Sequence, residues 1–156
     1  MGLFTKKTSK QIGDYIPAFT LKNQDNLEVS LPKEITGKGA IIYFYPKNES
    51  GVCTKEACAF RDHHEEFLRA GIDVFGINAG SVAEHAKFRD HHKLPFSLLS
   101  DPGNRVLKSF GIPGVLFLTG RETFVADQNG KIIYKYRGFL NGEAHVKEVM
   151  HYLHMQ

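Results

Sequence analysis

Cys53 and Cys58 are the two cysteines of this 156-residue chain, and the segment that holds them reads Cys53-Thr-Lys-Glu-Ala-Cys58. They come shortly after Gly39-Ala-Ile-Ile-Tyr-Phe-Tyr-Pro46, a strand-like apolar run that stops at a proline. A thiol placed where a strand hands over to a helix meets unpaired backbone N–H groups and the positive end of the helix dipole, and both favour the thiolate. Such a position is expected to be exposed and nucleophilic. Ser50, three residues before Cys53, can bring a hydroxyl to the sulfur, and Pro46 can wall off one side and limit water.

The spacing carries a geometric consequence. Positions i and i+5 of an ideal helix lie about 140° apart around the axis, with Cα atoms about 8–9 Å apart. A disulfide needs less than about 7 Å. If Cys53 and Cys58 ever bond, the start of the helix has to unwind. Two unreactive structural cysteines remain an alternative on spacing alone. Zinc is weakly supported, because C-x4-C has no second cysteine pair and structural sites want four ligands. The spacing also differs from the C-x-x-C of thiol–disulfide oxidoreductases. The eight histidines, His63 and His64 among them, read as surface residues, and Thr54 and Glu56 as first-turn helix residues.

The elements that must position these residues follow from periodicity. Residues 18–22 and 27–31 alternate apolar and polar around Asn23-Gln24-Asp25-Asn26, a hairpin signal. Ala40 to Tyr45 suits a strand buried on both faces. A helix is predicted from about Val52 to Ala70, ended by Gly71. A strand follows over Ile72–Ile77, then a helix from Ser81 to His92 with Glu84 completing a capping box. Pro95–Ser100 is extended, and Asp101–Phe110 is a short helix. Phe124–Asp127 and Lys131–Tyr136 flank Asn129-Gly130, which favours a type I′ turn. Gly142–Leu153 closes the chain as a helix. The order β-β-β-α-β-α-β-α-β-β-α predicts an α/β fold, a central mixed sheet with helices on both faces and an N-terminal β-hairpin. Residues 1–11 read as a flexible lead-in and 12–156 as one domain. Phe60-Arg-Asp-His-His64 recurs as Phe88-Arg-Asp-His-His92, but the flanks do not match, so each copy is read as a solvated helix face with one anchoring phenylalanine.

Composition narrows the class. With 42% hydrophobic and 24% charged residues and a net charge of +3, the chain reads as an ordinary globular protein. Lys6, Lys7 and Lys10 are too few to argue for nucleic acid or membrane partners. No apolar stretch nears the roughly 18 residues that span a bilayer. The absence of an apolar leader-like run, and Lys6 where a myristoylation signal wants Ser or Thr, point to the cytoplasm.

Pro46-Lys-Asn-Glu-Ser50-Gly-Val-Cys53 resembles the peroxiredoxin motif Pro-x-x-x-Thr/Ser-x-x-Cys, and a second cysteine five residues on is similar to the bacterioferritin-comigratory, or Q-type, subfamily. The likeness continues through Gly13-Asp14-x-x-Pro17-x-Phe19-x-Leu21, Phe96-Ser-Leu-Leu-Ser-Asp101, and Arg121 ahead of Thr123–Asp127 and Asn129-Gly-Lys131. It implies a thioredoxin-like fold and a thiol peroxidase in which Cys53 is peroxidatic and Cys58 resolving, with Pro46, Ser50 and Arg121 shaping the pocket. It implies no metal, haem or flavin cofactor, a peroxide substrate, a thioredoxin-type dithiol reductant, and a monomer or weak homodimer. A peroxide sensor that relays its disulfide to a partner protein would use the same two cysteines. Ser50-Gly51-Val52 stands where many Q-type relatives read Thr-Pro-Gly, which changes the stiffness of the loop. The apolar 112–120 segment is expected to border the pocket or a partner surface.

Overall fold

The computed structural model describes residues 9–112, 121–138 and 141–154. Among them, seven strands form one mixed sheet in the order β2-β1-β5-β4-β3-β6-β7. Its centre is β3 (Gly39–Phe44), β4 (Ile72–Asn78) and β5 (Ser97–Ser100), all parallel, as crossover helices require. The closing hairpin β6 (Glu122–Asp127) and β7 (Ile132–Arg137) runs antiparallel along β3, and β1 (Phe19–Lys22) joins β2 (Glu28–Leu31) to the far edge. This is the thioredoxin-like α/β arrangement expected, N-terminal hairpin included.

All six residues of β3 are buried. Ala40, Ile42 and Phe44 enter one core with Phe75, Ile77, Leu99, Phe110 and Phe124. Ile41, Tyr43 and then Tyr45 enter the other with Cys53, Phe60, Phe88, Phe96 and Val146. The period-2 alternation of a strand explains why a continuous apolar run feeds two cores. The helices α1 (Gly51–Asp62), α2 (His64–Arg69), α3 (Val82–His92) and α5 (Gly142–His154) serve the second core, and α4 (Arg105–Ser109) the first.

Local differences from the sequence reading have local causes. The helix expected over 52–70 is two helices, because His63 leaves the helical region (φ −106°, ψ 8°). The bend lets Phe67 come back to Phe60, with ring centroids 6.1 Å apart. The helix expected from Asp101 begins at Arg105, after a 3-10 turn over Pro102–Asn104; the Asp101 carboxylate accepts from the N–H groups of Val106 and Leu107. The β6–β7 turn is not type I′. Only Gly130 among its residues takes a left-handed φ (85°), and the Asp127 carboxylate accepts from Asn129 N and Lys131 N. An Asx side chain in the turn outcompetes the Asn-Gly preference. Ser9 and Lys10, placed by sequence in the lead-in, are held: Ser9 is buried, and Lys10 N donates to the Phe110 carbonyl at 2.9 Å.

Candidate active site

Tyr45 ends the central strand, and the chain turns through Pro46–Glu49 into α1. The turn is fixed from the inside by Asn48. Its Oδ1 accepts from the Tyr45 hydroxyl at 2.8 Å and from Asn78 Nδ2 at 3.2 Å. Its Nδ2 reaches His85 Nδ1 at 2.9 Å, while His85 Nε2 donates to the Leu99 carbonyl. Ser50 then caps α1, its Oγ accepting from Cys53 N at 3.4 Å and donating to the Lys47 carbonyl at 3.3 Å. Cys53 lies in the first turn of α1, as the sequence implies. Pro46 is half-buried at the strand exit.

The exposure expected for Cys53 is corrected: the residue is 1% exposed. Its helix turn is packed down onto Tyr43, Tyr45 and Phe60, and Arg121 comes in beside it from the position before β6. Arg121 Nη2 donates to Cys53 Sγ at 2.9 Å. The buried sulfur thus has a guanidinium as its direct neighbour. Arg121 is itself 2% exposed, so its charge acts on the sulfur with little screening by water.

Arg121 is aimed by a residue that the sequence places merely in the first helix turn. Glu56 follows Cys53 by three residues and shares its helix face. It is fully buried, and Arg121 Nη1 donates to its Oε1 at 2.5 Å. Its Oε2 finds no hydrogen-bond partner among the described residues. Burial pushes the Glu56 carboxyl up to about 8, against the pull of Arg121. Burial works against the Arg121 charge, but Glu56 and Cys53 beside it outweigh that and raise its pKa.

His145, on α5, completes the buried cluster and corrects the reading of the histidines as surface residues. Its Nε2 donates to the Gly138 carbonyl and its Nδ1 accepts from the Thr123 hydroxyl, both at 2.8 Å. Glu56 Oε2 stands 3.7 Å from Nδ1, but that nitrogen is already an acceptor, so the two do not form an ion pair. Burial holds the imidazole down to about 4, so it is neutral. His85 is also buried; His63 and His64 are half-buried. The helices carrying Glu56 and His145 meet closely. A Cβ on Gly142 would come within 2.5 Å of the Val52 carbonyl oxygen and 2.6 Å of Glu56 Cβ.

Cys58 is half-buried on α1, and both cysteines are free thiols. Five positions apart on one helix, they stand at helical rather than disulfide distance. Residues 113–120, and with them most of the apolar segment expected to border the pocket, lie outside the described residues. No described helix is long and apolar enough to cross a membrane.

A thioredoxin-like sheet presenting a cysteine at the N-terminus of a helix, against an arginine from the start of a hairpin strand, defines a protein built around one thiol. Residues 12–135 match the AhpC/TSA family, and the chain belongs to that family. Over 143 residues it is 46% identical to "Peroxiredoxin Q, chloroplastic" of Suaeda salsa, covering 90% of this chain and 66% of that protein. Over 154 residues it is 46% identical to the protein of the same name from Arabidopsis thaliana, covering 97% and 70%. Peroxidoxin BcpB of Mycobacterium tuberculosis has the same fold at a TM-score of 0.86, with 29% identity and 95% and 97% coverage. The chain thus spans just under two thirds of the length of the Suaeda relative.

Proposed function

We propose that this chain is a thiol peroxidase that reduces hydrogen peroxide and organic hydroperoxides, with Cys53 peroxidatic and Cys58 resolving. The observation that carries the reading is the 2.9 Å contact from Arg121 to the Cys53 sulfur at a capped helix N-terminus. The Cys53 thiolate attacks the hydroxyl oxygen of the peroxide. An S–O bond forms as the O–O bond breaks, and the leaving alkoxide or hydroxide takes the electron pair and then a proton from water. Arg121 and the first N–H groups of α1 are preorganised donors for that charge. Ser50 holds the turn that presents the sulfur, and Pro46 limits water at the strand exit. Cys53 is then a sulfenic acid.

Resolution requires the start of α1 to unwind. Cys58 attacks the Cys53 sulfur, the S–S bond forms, the S–O bond breaks, and hydroxide leaves as water with the Cys58 proton. An external dithiol of the thioredoxin type supplies two electrons and two protons by exchange. Residues 12–156 act as one domain, as a monomer or weak homodimer, and the reaction itself uses no metal, haem or flavin. Turnover needs a reducing compartment, the cytoplasm on the sequence reading, whereas the two plant relatives carry "chloroplastic" in their names.

The test is NADPH consumption coupled through thioredoxin reductase and thioredoxin. Wild type turns over many equivalents of peroxide. Cys53→Ser consumes none, and Cys58→Ser completes one equivalent without cycling. Sustained turnover by Cys53→Ser rejects the assignment, and normal cycling by Cys58→Ser removes Cys58 from the resolving role. A protein that turns over poorly and accumulates a lasting mixed disulfide is a sensor instead.

A further inference from the structure

The second copy of the Phe-Arg-Asp-His-His motif does something the first does not. In the first, His63 Nδ1 bonds Glu66 of the following helix α2 at 3.1 Å and His64 stands beside the Phe96 ring, so the two imidazoles do not converge. In the second, α3 ends at His92 because Lys93 takes the left-handed conformation (φ 53°), and both terminal imidazoles turn to one carboxylate. His91 Nδ1 and His92 Nε2 each stand 2.7 Å from a different oxygen of Glu49. Glu49 lies between Pro46 and Ser50, also with a left-handed φ (62°), which points its side chain outward at the histidines. The three donor atoms lie within 4.8 Å of one another.

We propose that Glu49, His91 and His92 form a binding site for a borderline divalent cation, Zn²⁺ by preference, that staples the turn before Cys53 to the end of α3. Two imidazole nitrogens and one carboxylate are the donor set that such ions take, whereas Mg²⁺ and Ca²⁺ want oxygen alone. The ion takes the place of the two N–H hydrogens that now bridge the rings to the carboxylate, each neutral ring then carrying its hydrogen on its other nitrogen, and small side-chain shifts bring the donors to about 2.0–2.2 Å from it. Glu49 and His91 are exposed and border a groove walled by Asn48, Lys87 and Phe88, so water completes the coordination. The cluster is separate from the Cys53–Arg121–Glu56 contacts.

The consequence rests on the peroxidase reading. Resolution by Cys58 needs the start of α1 to come loose, and Glu49 is the residue before its N-cap. A cation joining Glu49 to α3 opposes that opening. It slows disulfide formation and leaves the first oxidation of Cys53 unchanged.

The cation site is tested first without the thiols. ZnCl₂ is titrated calorimetrically into the full chain carrying Cys53→Ser and Cys58→Ser. One saturable equivalent is expected, weakened at least tenfold by Glu49→Gln and by His91→Asn with His92→Asn, and neither MgCl₂ nor CaCl₂ is expected to bind. No saturable binding, or equal affinity in those variants, overturns the site. Disulfide formation after a peroxide pulse is then timed with the cysteines intact. Zn²⁺ is expected to slow it at least fivefold in wild type and not in the double histidine variant. Equal slowing in both means capture by the thiols and overturns the staple. Failure of the peroxidase reading shows itself separately, as no peroxide consumed by metal-free protein, and leaves the titration standing.

Discussion

Arg121 divides one guanidinium between a sulfur and a carboxylate, and the protonation of the carboxylate decides how much of the charge the sulfur receives. With its pKa pushed to about 8, Glu56 is largely neutral at pH 7. Arg121 then offers its charge to Cys53 while the bond to Oε1 keeps it aimed. As pH rises through 8, Glu56 ionises, neutralises Arg121, and places a second negative charge near the sulfur. The expected outcome is an alkaline fall in the second-order rate constant for peroxide, with a midpoint near 8, that disappears in Glu56→Gln. Stopped-flow oxidation of wild type and variant from pH 6 to 9.5 checks it, and an unchanged alkaline limb in the variant refutes it. Cys53, Ser50 and Pro46 are legible in the sequence because one motif fixes their types and spacing, and Arg121 because the family likeness places an arginine ahead of the last hairpin. Glu56 carries a weaker signal: it stands i+3 from Cys53, so a helix that buries one turns the other inward. His145 carries none, because only the meeting of α5 with β6 brings it to Thr123 and Glu56.

At the scale of elements, the proposed function asks α1 to be firm enough to present the thiol and loose enough to release it. Ser50 holds its first turn, and Gly51 loosens it. Gly51 lies in the helix with open space beside its Cα, since nothing stands within 4 Å of where a Cβ would sit. Alanine would fit without strain and would remove freedom from the unfolded chain, worth about 0.4–1 kcal/mol. Gly51→Ala is therefore expected to stabilise the dithiol form by that amount in urea denaturation and to slow disulfide formation about two- to fivefold. Faster closure in the variant would show that α1 does not unwind from this end. The fold is legible in most of its elements, because strands such as Ala40–Phe44 are continuous apolar runs and Ser81 caps α3 as its type suggests, its Oγ accepting from Glu84 N, although the Glu84 carboxylate returns to that hydroxyl and not to the Ser81 N–H of a full capping box. What periodicity misses are single residues whose backbone is set by contacts from elsewhere. His63 breaks a helix so that Phe67 can rejoin Phe60, and Asp127 takes over a turn from Asn129-Gly130.

Across the whole molecule, two of the buried titratable groups at the centre of the site, Glu56 and His145, pull stability in opposite directions. Glu56 has a folded pKa of about 8 against an ordinary 4.5, so the folded state holds its proton longer. Its contribution is complete below pH 4.5 and is lost as pH rises to 8. His145 has a folded pKa of about 4 against 6.5, so the unfolded chain takes up its proton first. Its contribution is complete above pH 6.5 and is lost as pH falls to 4. Each slope is worth roughly 1.4 kcal/mol per pH unit where it is fully developed. Between pH 4.5 and 6.5 the two therefore cancel, and above 6.5 the Glu56 slope remains alone. Single replacements separate them. Relative to wild type, Glu56→Gln is expected to gain stability as pH rises from 4.5 to 8, whatever its offset. His145→Gln is expected to lose stability relative to wild type as pH rises from 4 to 6.5. Urea unfolding of the three reduced proteins at pH 4.5, 5.5, 6.5 and 7.5 gives these differences directly, and the other carboxylates and histidines drop out of the comparison. Parallel stability curves for all three proteins would mean that neither group is held away from its ordinary pKa, and that the charge on Arg121 is shared with an ionised Glu56 throughout the neutral range.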